Sequence, residues 1–140
     1  MNETTLATLL ATALADDAST AGLTIVPFGT SGELAKPGAV CSFEGFGEDE
    51  VLLGSYVGQI MVRLYTLPGD TSAAEHIAFA DALLALITSR TFLAGLSPDY
   101  TIPAASDGSD LWAPKRDTPA AAGAERETVV SVMASIVQLA

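Results

Sequence analysis

The sequence predicts an α+β domain: a mainly antiparallel sheet of four to six strands with two amphipathic helices packed on one face. Three observations carry that expectation. Two segments, one near the N-terminus and one mid-chain, repeat apolar residues at helical spacing. Several other runs alternate at period two or are dense in β-branched residues. Strands and helices are segregated along the chain, which favours hairpins over the alternating crossovers of a parallel doubly wound sheet. With 140 residues the chain has room for one domain, spanning 1–140.

The first helix is expected over about residues 3–18. Asn2 stands where an N-cap belongs, Leu6, Leu10 and Leu14 stack at i, i+4, i+8, and Leu9 and Ala13 widen the stripe. Gly22 is a plausible stop, whereas Asp16 and Asp17 oppose the helix dipole at that end. A short strand follows over about 23–28, and Pro27 confines it to a sheet edge or a strand end. A second strand is expected over about 39–46, with Gly45 and Gly47 loosening its exit. Glu48-Asp49-Glu50 makes an acidic tip before a long strand over about 51–66. There Tyr56, Gly58, Ile60, Val62 and Leu64 share an apolar face, and Val57, Gln59, Met61, Arg63 and Tyr65 share a mixed one.

Ser72 followed by Glu75 forms a capping box for a second helix over about 72–90. Its stripe is read as Ala73, Ile77, Ala80, Leu84 and Ile87, flanked by Phe79, Leu83 and Leu86, which leaves His76 on the polar side. Residues 97–124 form a loop-rich hairpin, with extended pieces around Tyr100-Thr101-Ile102 and Leu111-Trp112-Ala113 and a loop over Thr118–Ala124. The last segment, about 126–139, fits both periods. Val129, Val130, Met133, Ile136 and Val137 suit a helix, but the β-branched density favours a strand.

Composition narrows function without naming it. Hydrophobic residues make up 49% and charged residues 16%, which argues against a disordered chain. Six Lys and Arg against 17 Asp and Glu give a formal charge of −11, so attraction to phosphate backbones or anionic lipid is not expected. The start of the chain lacks a basic n-region, and no apolar run approaches the ~20 residues of a membrane span. The expectation is a protein made and folded in a cytoplasm, with no membrane partner.

Catalytic signatures are sparse. His76 is the single histidine and Cys41 the single cysteine. A surface imidazole and a buried small thiol are a simpler account of them than a nucleophile–base pair. Gly29-Thr30-Ser31-Gly32 lacks the spacing of a nucleophile elbow, and neither lysine sits in a phosphate-binding loop. Glu48, Asp49 and Glu50 are consecutive and cannot all point at one ion, and Asp107-Gly108-Ser109-Asp110 lacks the ladder of a calcium loop. No enzyme activity, cofactor or metal is expected. Trp112 beside Lys115 and Arg116 is the one aromatic and basic cluster, suited either to an interface or to the rim of the core.

The order of elements resembles a family. An amphipathic helix (Leu6 to Leu14) leads through a short strand to a long central one, whose run from Gly54-Ser55-Tyr56 to Leu64-Tyr65-Thr66 hands over to the capped helix from Ser72 to Arg90. A Pro/Gly-rich hairpin and a closing strand from Arg126 to Gln138 follow. This layout is similar to the tail terminator proteins of long-tailed bacteriophages and to the head–tail joining and tail-completion proteins of the neck. The resemblance implies a virion protein that forms a ring, usually a hexamer, at the head-proximal end of the tail tube. Such a ring stops tube polymerisation and contacts the tail-tube protein and a neck or connector protein. An acidic lumen would let DNA slide without sticking. It further implies that Leu23–Phe28 and the 97–124 region meet neighbouring subunits, with Glu48, Asp49, Glu50, Arg63, Trp112, Lys115 and Arg116 as candidate interface or lumen residues. Arg63 is as well suited to an internal salt bridge.

Overall fold

The computed structural model describes residues 3–48, 55–96, 100–101 and 111–138. It is an α+β domain with a mixed, mostly antiparallel sheet. In chain order the elements are α1 (Glu3–Asp16), β1 (Thr24–Pro27), β2 (Gly38–Glu48), β3 (Ser55–Thr66), α2 (Ala73–Ile87), α3 (Arg90–Ala94), β4 (Tyr100–Thr101), β5 (Leu111–Arg116), β6 (Ala120–Ala122) and β7 (Glu125–Gln138). The sheet runs β1-β2-β3-β7, and the far side of β7 is shared by β6, β5 and β4 in turn. The β1–β2 pair is parallel and every other pairing is antiparallel.

Register and alternation decide what the helices cover. Ala39–Leu64–Thr128, Cys41–Val62–Val130 and Phe43–Ile60–Val132 form cross-strand rows on one face, all buried. Leu6, Leu10 and Leu14 of α1 pack into that core, with Ala7 and Ala11 beside them. Burying each leucine stabilises the fold by on the order of 2 kcal/mol. The face assignment read from β3 is the one observed, with Tyr56, Ile60, Val62 and Leu64 in the core.

Helix ends follow local chemistry. Asp17 directly follows α1, at the C-terminal end where its charge was expected, and there it caps a short 3-10 turn over Ala18–Thr20, accepting from the Ser19 N–H at 2.8 Å. The buried Thr20 hydroxyl donates to the Leu14 carbonyl, one of the orphaned acceptors at the helix end. The capping box of α2 is complete: Glu75 N–H donates to Ser72 Oγ at 3.1 Å and Ser72 N–H donates to Glu75 Oε1 at 3.2 Å. The helix stops at Ile87, earlier than expected. Thr88 folds its hydroxyl back onto the Leu84 carbonyl at 2.7 Å, and Ser89 caps a separate short helix that begins at Arg90.

Three further differences from the sequence reading stand out. The buried positions of α2 are His76, Ala80, Leu83 and Ile87, so its inward stripe is rotated from the one expected and carries the histidine inward. Thr118–Ala124 is not all loop, because Ala120–Ala122 pairs with β7. Two ladders carry a bulge: β2 between Glu44 and Gly47, with Gly45 at φ +71°, and β5 between Trp112 and Lys115, with Ala113 at φ +52°.

The parallel β1–β2 connection, residues 28–37, folds back over the face opposite the helices. Lys36 reaches β7, its Nζ 2.8 Å from Glu125 Oε1, and Pro37 accepts from the Thr24 N–H at 3.1 Å. Gly38 starts β2 directly beneath this connection. A Cβ there would collide with the Ala35 carbonyl oxygen and sit 2.8 Å from Leu34 Cγ. Gly38→Ala is therefore expected to destabilise the domain by about 1–3 kcal/mol, the usual cost of forced overpacking. A urea midpoint equal to wild type would show that the connection does not lie on Gly38.

Candidate functional site

The sheet face away from the helices is the place where the sequence-predicted residues converge. Its rows run Val26–Val40–Arg63–Val129, then Ser42–Met61–Ser131–Lys115, then Glu44–Gln59–Met133–Trp112, with Val57 beyond them. Apart from the 28–37 connection at one corner, no described element lies over it. Val57 is 37% exposed, and Met61, Met133 and Trp112 are half-buried. Phe28, following the last residue of β1, is 73% exposed.

Each candidate interface residue has a definite place. Arg63 is 44% exposed, with Nη1 3.3 Å from Glu127 Oε1 on the adjacent strand; the internal pair is the one formed. Lys115 is 71% exposed and lies 3.1 Å from Asp117 Oδ1. Arg116 does not face outward with Trp112. The β5 bulge turns it to the helix side, where its Nε lies 2.7 Å from Asp81 Oδ1 and ties β5 to α2. Glu48 is the last residue of β2, opposite Tyr56; Asp49 and Glu50 lie outside the described residues.

A groove of about 770 Å³ runs under the 28–37 connection. Val26, Val40 and Tyr65 floor it, Phe28 and Leu34 flank it, and the Arg63–Glu127 pair closes one end. Desolvation raises the Tyr65 phenol above its ordinary range, and the Glu127 carboxylate adds to that. The hydrogen bond that the Lys36 ammonium donates to Glu125 raises its pKa. The groove thus presents apolar walls, the hydroxyls of Thr24, Thr30, Ser31 and Tyr65, and a paired guanidinium. Sequence reading took Gly29–Gly32 as a loop and missed the groove, because only the parallel pairing of β1 with β2 brings this stretch over Val40 and Arg63.

The imidazole and the thiol are not neighbours in any described contact. Cys41 faces α1, its Sγ 3.4 Å from the Ala7 carbonyl oxygen and 3.6 Å from that of Val26. Desolvation pushes its pKa up to about 12, so it is a thiol at neutral pH and a poor nucleophile. His76 is fully buried, not on the surface as expected. Its Nδ1 lies 2.6 Å from Thr66 Oγ1 on β3 and its Nε2 2.7 Å from Thr128 Oγ1 on β7. A neutral ring offers one N–H and one lone pair, and each threonine hydroxyl can donate or accept. Either tautomer is therefore satisfied. Arg126 lies on the same face, its Nη1 3.3 Å from the Thr71 carbonyl oxygen. Burial, and next the Arg126 charge, hold the imidazole below its ordinary pKa.

This joint has a pH signature. The unfolded chain takes up a proton near pH ~6.5, whereas the folded chain resists it down to a lower pH. The stability the neutral ring confers is complete above that unfolded value and declines as pH falls through the window between the two. Urea midpoints measured between about pH 8 and about pH 5 should fall in wild type and fall less in His76→Gln. The carboxyls held low by their own hydrogen bonds, Asp17 and Glu75, act in a separate, more acidic window. Parallel slopes for the two proteins would show that His76 is not the group responsible.

Among the described residues no three His, Cys, Asp or Glu side chains gather as metal ligands, and no helix is long and apolar enough to cross a membrane. No family model and no curated protein matches the chain. A solved structure whose printed name states no function is similar to it, with a TM-score of 0.53 at 16% identity over 94% of this chain and 88% of the other. At that identity the likeness is one of fold.

Proposed function

We propose that this chain is a structural virion protein, a tail terminator that closes into a ring at the head-proximal end of a phage tail tube. The observation that carries the proposal is the layering. Helices lie on one face of a long β2–β3–β7 ladder, and among the described residues the other face carries only the 28–37 connection at one corner, as suits a subunit completed by neighbours. The order of the elements supports the same reading, since it follows the terminator and neck layout from first helix to closing strand. The residues best suited to chemistry support it too. The His76 imidazole and the Cys41 thiol are engaged in joining helices to the sheet, and a charge of −11 disfavours contact with passing DNA. On this reading the protein makes and breaks no covalent bond. Its partners are copies of itself, the tail-tube protein and a neck or connector protein, and its place is the tail or neck of the virion.

A neck adaptor or stopper would share this layering, so the assay must see the tube. Purified protein added to polymerising tail-tube protein is expected to cap tubes at one end and shorten their length distribution. Electron micrographs should show rings of tube width. Rings without any effect on tube length would favour the adaptor or stopper. A second reading, a small ligand-binding domain, is favoured by the groove between Val40, Tyr65 and Leu34. A chain that stays monomeric beside growing tubes and leaves their length unchanged would replace the terminator reading with it.

A further inference from the structure

We infer that the central strip of the sheet face that no described helix covers, Met61, Met133 and Trp112 with Val57 beyond, is the surface through which one copy of this chain meets another. The inference rests on the self-assembling reading above and adds to it the surface and the partner.

Charge selects the partner. Each copy carries −11, and among the described residues at least four of its six basic residues are held in internal pairs: Lys36 with Glu125, Arg63 with Glu127, Lys115 with Asp117 and Arg116 with Asp81. Two such bodies repel at most orientations, and few cations remain to bridge them. The strip is different. Across Ser42–Met61–Ser131–Lys115 and Glu44–Gln59–Met133–Trp112 the only described charges are Glu44 and Lys115, of opposite sign, so the strip carries far less negative charge than the body as a whole. It is a weakly charged area on an acidic body, built around two thioethers and one indole. A second equally acidic copy can approach it without repulsion, whereas a basic protein or peptide would be drawn to the acidic surface elsewhere.

The sheet edges are poorer lines of contact. In β1, Thr24 and Phe28 donate to Pro37 and Cys41 across the parallel ladder, so Ile25 and Pro27 turn outward. Pro27 has no N–H, and its carbonyl accepts from the Thr30 N–H at 3.3 Å and hydroxyl at 2.8 Å. Only Ile25 is left to pair with an added strand. On the opposite edge, which β5 shares with β6 and β4, β5 carries the bulge at Ala113, then Pro114, Lys115 and Arg116, and β6 and β4 are only three and two residues long, the devices by which edges are kept from pairing. Association is therefore left to the face.

Trp112 is the only tryptophan of the chain and lies in the strip, so the untouched protein carries its own probe. The test measures mass by light scattering and acrylamide quenching of Trp112 on the same dilution series, at about 50 mM and about 500 mM salt. Quenching is expected to fall by about half as mass rises, with association several-fold tighter at the higher salt because screening removes repulsion. Met61→Glu should remain monomeric with an unchanged melting temperature, and Ala78→Lys, on the exposed side of α2, should assemble like wild type. If mass rises while quenching stays flat, if salt weakens association, or if folded Met61→Glu assembles normally, copies meet elsewhere. The inference then fails while the ring survives. A wild-type chain that is monomeric at every concentration and salt overturns the inference and removes self-assembly from the ring reading as well. Should Met61→Glu not fold, the quenching series on wild type decides alone.

Discussion

The last strand is the constraint on which the rest of the structure depends. β7 lies in the middle of the sheet, paired along its length with β3 on one side and with β6, β5 and β4 on the other. Until residues 125–138 arrive, β3 has a bare edge, the three short strands have no partner, and the His76 ring of α2 lacks Thr128. Contacts between residues far apart in sequence therefore hold the domain together, which favours slow, all-or-none closure. The β3–β7 ladder also sets which side chains meet the helices, because a slip of one residue would put Val130 and Val132 in water and Val129 and Ser131 in the core.

The joint at His76 fixes that register from above. Its ring reaches Thr66 and Thr128 from α2, and these threonines lie on neighbouring strands. All three polar groups are buried and each has a partner, so the cluster costs little when the pieces are aligned and much when they are not. A valine at either threonine would pack as well in an apolar core but leave a ring nitrogen unpaired. This explains why a polar trio sits where a hydrophobic helix–sheet contact would otherwise be found. It also explains why the imidazole is unavailable for chemistry: both nitrogens are occupied and the ring has no route to solvent.

Much of the fold was legible because its signals are local. The alternation in β3 is long enough to assign both faces, and the box at Ser72 and Glu75 names the start of α2 at its own residues. Pro27 marked β1 as an edge or an ending, and β1 is both. The β-branched run at Val129–Val132 correctly outweighed a helical reading of the same segment. What escaped depends on partners distant in sequence. His76 looked polar because histidine counts as polar in a stripe, whereas here its polarity is used inside the core by Thr66 and Thr128. Ala120–Ala122 has no strand character of its own and is extended because β7 is there to pair with. Arg116 reads as a partner of Trp112 until the bulge at Ala113 sends the two side chains to opposite faces. The candidate site was legible as a list of residues more than as a place: Arg63, Trp112 and Lys115 do share one face, but Met61 and Met133, which give the face its character, looked like ordinary strand residues.

The bare face and the acidic charge are two aspects of one arrangement. Acidic residues such as Asp16, Asp17, Asp70, Glu75 and Asp81 lie on the helices and turns, away from the strip. Internal pairing neutralises Arg63 by Glu127 instead of leaving it to attract a partner. If copies associate through the strip, what remains facing water, or a channel, is the part of the surface richest in carboxylate. A ring built this way would have weakly charged seams and acidic walls without any residue serving both purposes. The opposite arrangement, with carboxylates at the seams, would require bridging cations from the neighbour, and the described lysines and arginines are largely committed within their own chain. The distribution of charge thus favours contact through the sheet face over contact through the acidic turns.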